Sequence, residues 1–359
     1  MEGTMSRKMI NFVPTLFVGL GGTGQKVVGR IKRRMALMFP DVPDLPVHYL
    51  VLDTDSQQRT EFEFQADEYI EISNFDGEAV LNRLDRYPMI QAWWPPNLKP
   101  SDVGNVDFGA GQTRPVGRMA YFYWYTQRIK EVLETKAKQL TRVRSASELQ
   151  ALEDKGIALD GNTVAVYVIA SLAGGNGSGL FLDVAFEIRN HLRLRKGTEM
   201  IGVFVMPEGF VRIVPKGLQV DRVQANSYAA LKELDYFMDA ENAKKLTLQY
   251  ASSARAFSPE QAIFDSVSLV DIIDAKGNEL EDVRQLYDMI ASKLTLELFV
   301  AGERRSAARN IRIRREVVLG RRRHYDSFGV GALVFHAAQA AEYGRLIVAS
   351  RILAEMTRE

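Results

Sequence analysis

AVYVIASLAGGNGSGLFLDVAFE, residues 165–187, reads as a buried strand that runs through a glycine loop directly into a helix. Gly174, Gly175, Gly177 and Gly179 place four glycines within six positions, and Ser178 sits at the helix mouth. Such a loop leaves several backbone N–H groups aimed at one point, where the helix dipole also favours negative charge. Without Cβ atoms, the backbone can close on a polyanion. The ligand this implies is a phosphate chain.

A second loop of the same kind lies near the amino terminus. Residues 15–19 (TLFVG) form a short apolar strand, and Gly19-Leu-Gly21-Gly-Thr-Gly24 follows it. A helix then carries Val27, Val28, Ile31 and Met35 on one face, with basic residues opposite. Residues 47–53 (VHYLVLD) read as a second buried strand ending in Asp53-Thr54-Asp55, and 68–72 as an edge strand. A turn-rich stretch at 93–111 contains WWPP and DFGAG and precedes a long helix at 117–140. Its aromatic run, Tyr121 to Tyr125, suits a helix packing large residues on a sheet. Strands at 163–170 and 200–206 bracket a helix at 178–194. This alternation predicts an α/β fold, a mostly parallel sheet with helices on both faces, which binds ligands beyond the carboxyl ends of its strands.

A long helix at 218–240 follows, and then the texture changes. A strand at 264–270, a helix at 280–300, a strand at 327–335 and a terminal helix suggest a smaller α+β unit. The expected division is a nucleotide domain at 1–217, a central helix at 218–240 and a C-terminal domain at 241–359. Residues 351–359 continue a helical pattern without a stop signal, so a fragment of a longer protein is expected. The first residues lack the apolar core of a signal peptide and are compatible with a leader before Met5.

Composition bounds the function classes. At 359 residues the chain suffices for about two domains and a sizeable core. A formal net charge of +1 argues against a nucleic-acid or membrane-surface binder. No apolar run reaches the ~20 residues of a membrane span. The absence of cysteine excludes disulfide and thiolate chemistry and fits a reducing, cytoplasmic compartment. The four histidines have no metal-ligand spacing.

Taken alone, G-x-G-x-x-G at 19–24 with Asp53 as ribose acid is a dinucleotide fingerprint and suggests a Rossmann-type NAD(P) enzyme. That reading leaves Gly109-Ala110-Gly111, the 171–179 loop and the helix bearing Asn226 unexplained. It also lacks a Tyr-x-x-x-Lys pair or a poised cysteine.

Together the loops resemble the tubulin/FtsZ superfamily of GTPases, in its divergent bacterial tubulin-like branch. The superfamily signature is three glycines, threonine, then Gly-Ser/Thr-Gly. Here Ala173-Gly174-Gly175-Asn176-Gly177-Ser178-Gly179 occupies it, with Ala173 for the first glycine and Asn176 for the threonine. Leu20-Gly21-Gly22-Thr23-Gly24-Gln25 corresponds to the first phosphate loop. Leu52-Asp53-Thr54-Asp55-Ser56-Gln57 is similar to the second, and Phe108-Gly109-Ala110-Gly111 to the loop that senses the γ-phosphate. Pro207 and Glu208 fall where the ribose-contacting loop is expected. Arg222 and Asn226 lie on the long helix, where the resemblance gives Asn226 the guanine edge.

The resemblance covers about residues 12–300 and implies bound GTP or GDP with Mg²⁺. Phosphate oxygens and water would hold the metal, with Asp53 or Asp55 as nearest carboxylates; turn chemistry alone also favours Asp there. It implies head-to-tail filaments and hydrolysis completed in trans. The family's N-x-D-x-x-D is missing after the long helix; Asp239 and Glu241 stand as catalytic substitutes or as plain helix-end acids. A guanine-nucleotide-locked scaffold that neither polymerises nor turns over is therefore the alternative. Nine arginines between Arg304 and Arg323 suit nucleic acid, an anionic membrane, an acidic protein partner, a subunit contact or a solvated loop.

Overall fold

The apolar runs become strands of one wholly parallel sheet. In this computed structural model, the described residues are 9–299 apart from 43, 56–61 and 275, together with 317–318, 321–322, 325–329 and 345. The strands are β1 (Ile10–Phe12), β2 (Thr15–Leu20), β3 (Val47–Asp53), β4 (Tyr69–Glu71), β5 (Ile157–Leu159), β6 (Val164–Ser171), β7 (Thr198–Val205), β8 (Ser266–Val270), β9 (Val317–Val318), β10 (Arg321–Arg322) and β11 (Tyr325–Asp326). Seven of them pair in the order β11-β8-β7-β6-β2-β3-β4, every neighbour parallel. Phe17 of β2 sits opposite Tyr49 of β3 on one side and Tyr167 of β6 on the other. Two small pairs, β1 with β5 and β9 with β10, lie apart from this sheet.

The helices are α1 (Gly21–Met38), α2 (Gly77–Leu81), α3 (Pro88–Gln91), α4 (Arg114–Trp124), α5 (Lys130–Leu140), α6 (Ala146–Asp154), α7 (Asn176–His191), α8 (Glu208–Val211), α9 (Leu218–Phe237), α10 (Ala240–Ala243) and α11 (Val283–Glu297). Because strand side chains alternate, each central strand feeds two cores. Leu16, Val18 and Leu20 pack with Val166 and Val168 under α4, α5, α7 and α9. Phe17, Tyr167 and Ile169 face the other way, towards α1 and α11. Both faces are covered, so β2 and β6 are buried at every position, as their unbroken apolar runs require.

The helix expected at 117–140 is α4 and α5, joined by one π-helical turn at 125–129. The aromatic run packs inward, as its spacing suggests: Tyr121 and Tyr125 both meet the ring of Tyr250. The strand and helix placed by sequence beyond the long helix lie in the same layers as the first half. β8 continues the sheet beside β7, and α11 packs on α1, where Arg30 pairs with Asp288 at 3.1 Å. The chain divides into two compact units, 1–328 and 329–359. Ser56, Gln57, Arg304, Arg305, Arg309, Arg312, Arg314, Arg315 and Arg323 lie outside the described residues, as do residues 330–344 and 346–359. Among the described residues no helix is long and apolar enough to cross a membrane.

Candidate functional site

Connectivity alone locates a crevice. From β2 the chain moves outward through β3 to β4, and from β6 it moves the opposite way through β7 to β8. The loops leaving β2 and β6 therefore diverge, and beyond those carboxyl ends an open parallel sheet binds its ligand. A cleft of about 320 Å³ lies there. The loops that line it are Gly21, Gly22 and Thr23 after β2, and Asp53 and Asp55 after β3. Gly109 and Ala110 border it before α4, and Gly174, Gly175, Asn176 and Gly177 border it after β6.

Two long helices open onto this cleft. Neither α1 nor α7 has a side-chain cap, and neither carries an acid in its first turn. Their first N–H groups thus have no intrahelical partner, and each dipole brings partial positive charge to the crevice. Gly21 starts α1 at φ +67°, a left-handed geometry that glycine adopts without penalty. The glycines of the 174–179 loop divide by surroundings. A Cβ on Gly175 would lie 2.6 Å from the Thr113 nitrogen, and one on Gly179 would lie 2.4 Å from the Arg114 carbonyl oxygen. At Gly174 a Cβ would meet nothing within 4 Å.

Behind the glycines sits a buried polar knot. The Asn176 amide donates to Asp53 Oδ1 at 3.1 Å and to the Leu52 carbonyl at 3.4 Å. Asp53 Oδ2, Thr54 Oγ1 and Asn176 Oδ1 are buried without a hydrogen-bond partner among the described residues. Burial pushes the Asp53 carboxyl up to about 7, against the opposing pull of the Asp55 N–H and the Asn176 amide. The departure from threonine at 176 thus places an amide on the carboxylate that ends β3. The loop before α4 docks on the same strand end, with the Gly109 N–H donating to the Thr54 carbonyl at 3.0 Å.

Asn226 lies beside the cleft rather than in its lining. Its Nδ2 donates to the Gln112 carbonyl at 2.8 Å and to the Ala173 carbonyl at 3.0 Å, so α9 fastens the two loops to each other. Both acceptors are carbonyls, which fixes the amide orientation and commits both of its protons. Ser178 is fully buried, with its hydroxyl on the Gly174 carbonyl. Gln25 is also buried, and Gln25, Gly111 and Gly179 are not among the lining residues. Pro207 precedes α8, whose Glu208 faces Arg212 at 3.9 Å; neither lines the cleft. Arg222 is exposed on α9.

Asp239 caps α10 by accepting the Glu241 N–H at 2.9 Å, and Glu241 pairs with Lys244 at 2.6 Å. This corner is on the order of 20 Å along α9 from Asn226. Among the described residues no cluster of three or more His, Cys, Asp or Glu side chains could hold a metal.

The lining also includes residues that the sequence did not single out. Lys26 is its one cation, and the sequence placed it on the solvent face of α1. Phe210, Ile213, Val214, Val223 and Val283 form an apolar wall from three separate segments. Tyr287 of α11 completes it, its hydroxyl 3.5 Å from Thr23 Oγ1. A wall assembled across such distances in sequence leaves no local pattern, whereas the glycine loops each leave one.

A parallel sheet with helices on both faces and glycine loops at its switch point defines a protein with a Rossmann-like core. The chain belongs to the tubulin-like family, whose model matches residues 16–357. Among solved structures it is similar to CetZ2 from Haloferax volcanii, a GTPγS-bound protofilament, with 15% identity over 83% of this chain and 62% of that one and a TM-score of 0.43. TubZ of Clostridium botulinum phage c-st matches with 11% identity over 82% of this chain and 65% of that one, at a TM-score of 0.40. The empty FtsZ dimer of M. jannaschii matches with 15% identity over 80% and 54%, at 0.35. The chain thus spans less than two thirds of the length of these structures. A comparison with curated proteins finds no match.

Proposed function

We propose that the cleft binds a guanine nucleotide with Mg²⁺. One observation carries this reading: two uncapped helix N-termini meet a loop in which Gly174 faces open space. Packing demands glycine at 175 and 179 but makes no demand at 174, where a Cβ would stand in the path of a phosphate. The residues present fit the nucleotide and its metal. N–H groups of the 21–23 and 174–177 loops would hold the β- and γ-phosphates, with the 109–111 loop closing on the γ-phosphate. The orphaned Asp53 Oδ2 would serve as an oxygen ligand for a hard cation or its water, and Mg²⁺ would supply charge neutralisation there. The apolar wall from Phe210 to Tyr287 suits the base and sugar, and the cleft volume falls within the ~300–1,000 Å³ of small-molecule sites. The choice of guanine rests on membership of the tubulin-like family.

Chromatography of nucleotide released on denaturation tests this. Guanine nucleotide in near-stoichiometric amount is expected. Adenine or nicotinamide nucleotide alone, or no nucleotide even after incubation with GTP and Mg²⁺, overturns the reading.

Head-to-tail self-association extends the proposal, with a neighbour's Asp239 and Glu241 positioning the water that attacks the γ-phosphate. A second reading, a nucleotide-locked scaffold, is favoured by the local use of those acids, one as a cap and the other in an ion pair. Sedimentation after GTP addition, paired with phosphate release, separates the two. Pelleting with turnover that Asp239→Asn abolishes removes the scaffold reading.

A further inference from the structure

β3 joins two hollows. Asp53 at its carboxyl end faces the glycine cleft, and His48 at its amino end faces a second cavity of about 500 Å³, larger than the first. This cavity exists because β4 covers only Val51–Asp53 of the strand, which leaves 47–50 as an open sheet edge. It wraps around that edge from the carboxyl end of α1 to α5.

Its charges are unevenly matched. Lys136, almost fully buried, donates to Asp67 at 2.7 Å, and Lys32 pairs with Glu68. Arg142 pairs with Glu148 outside the lining. Arg144 has no carboxylate within ion-pair distance among the described residues; it donates only to the Asp44 backbone carbonyl, at 3.0 Å. Burial and the neighbouring Arg142 push the Arg144 guanidinium down, and the Asp44 carboxylate, also in the lining, opposes them without forming an ion pair. Gln139 Oε1, also in the lining, is buried with no hydrogen-bond partner. His48 has no hydrogen-bond partner among the described residues. Burial, with Lys136, Arg144 and Arg142 around it, lowers its imidazole to about 4, and Asp67 only partly opposes them. At neutral pH the pocket therefore offers a guanidinium outside any ion pair, a neutral imidazole and an unpaired amide oxygen.

We propose that this pocket is a second ligand site, which takes a small oxyanion-bearing molecule with its carboxylate or phosphate on Arg144 and its polar body against His48 and Gln139. Arg144 presents a fork that matches either oxyanion in bidentate fashion. The cavity would hold a ligand of metabolite size, not an isolated ion. It is separate from the nucleotide cleft: no residue lines both.

The test is ¹⁵N-detected NMR of the histidine side chains in the full chain, with His48 assigned through His48→Gln. Citrate and pyrophosphate serve as the two probes. Either probe should shift the His48 signals saturably at concentrations up to about 10 mM, the weak end of specific binding. Bound oxyanion should also raise the His48 titration midpoint by about one unit or more, since it supplies the missing counter-charge. Response to citrate alone identifies a carboxylate site, and response to pyrophosphate alone a phosphate site. Arg144→Gln should weaken the response by about tenfold or more, the loss of a charge-assisted hydrogen bond, without altering nucleotide content. Lack of a saturable shift with both probes, or equal affinity in Arg144→Gln, overturns the proposal. Pyrophosphate binding in the nucleotide cleft does not confound this readout, because it leaves His48 unmoved.

Discussion

The floor and the rim of the glycine cleft share one loop but answer to different demands. Gly175 and Gly179 are on the floor, where α7 packs against the start of α4 so tightly that a single methyl group would strike backbone. Gly174 is on the rim, and a Cβ there would project into empty space. Glycine content in a phosphate loop is thus two signals superposed. One belongs to close packing of helices and the other to room for a ligand. A loop can keep the first and lose the second, so a glycine count alone overstates the case for binding.

Substitutions that separate the two demands follow from this contrast. The largest effect belongs to the floor: Gly179→Ala drives a methyl into the Arg114 carbonyl, and close-packed interiors yield little. A loss of about 5 kcal/mol in denaturant unfolding is expected, at the diagnostic end of single substitutions. A loss below about 1 kcal/mol would show that α4 and α7 can part freely.

Asp53 comes next, also on the floor. Its folded carboxyl titrates near 7 instead of 3.8, so between those values the folded state binds more protons than the unfolded one. Stability from this group is therefore greatest below the unfolded value and falls as pH rises through 7, by up to about 4 kcal/mol. Asp53→Asn should flatten the pH profile of unfolding free energy between about pH 4 and 7.5. Profiles of equal slope in the two proteins would show that the carboxyl is solvated.

Asn226 ties rim to floor. Asn226→Ala frees the Gln112 and Ala173 carbonyls and should cost about 2 kcal/mol for two hydrogen bonds. Thermal unfolding measures this directly. The smallest effect on folding belongs to the rim: Gly174→Ala should change stability by under about 0.5 kcal/mol. The same methyl should reduce bound nucleotide at least about tenfold, as read by chromatography of the denatured protein. If Gly174→Ala retains nucleotide, the open space above residue 174 is not the phosphate path.

How much of this was legible follows the range of each interaction. Unbroken apolar runs at 15–20, 47–53 and 164–171 marked the central strands, because strands covered on both faces admit little polarity. The glycine loops were legible because each is local. The Asn176–Asp53 contact was not, since it joins residues 123 apart, and its existence depends on β3 and α7 ending at the same place. Asn226 was singled out for a mid-helix position that propensity disfavours, but its bonds run to carbonyls 114 and 53 residues away. The membership of β8 and α11 in the same sheet and layer was likewise hidden, because local texture carries no register.

The clamp at Asn226 bears on how the protein breathes. With both amide protons committed, loop 109–112 and loop 173–176 cannot separate from α9 one at a time without stranding a carbonyl. Their slowest-exchanging amides should therefore share one opening free energy in native-state hydrogen exchange, a single cooperative unit built from two distant stretches of chain.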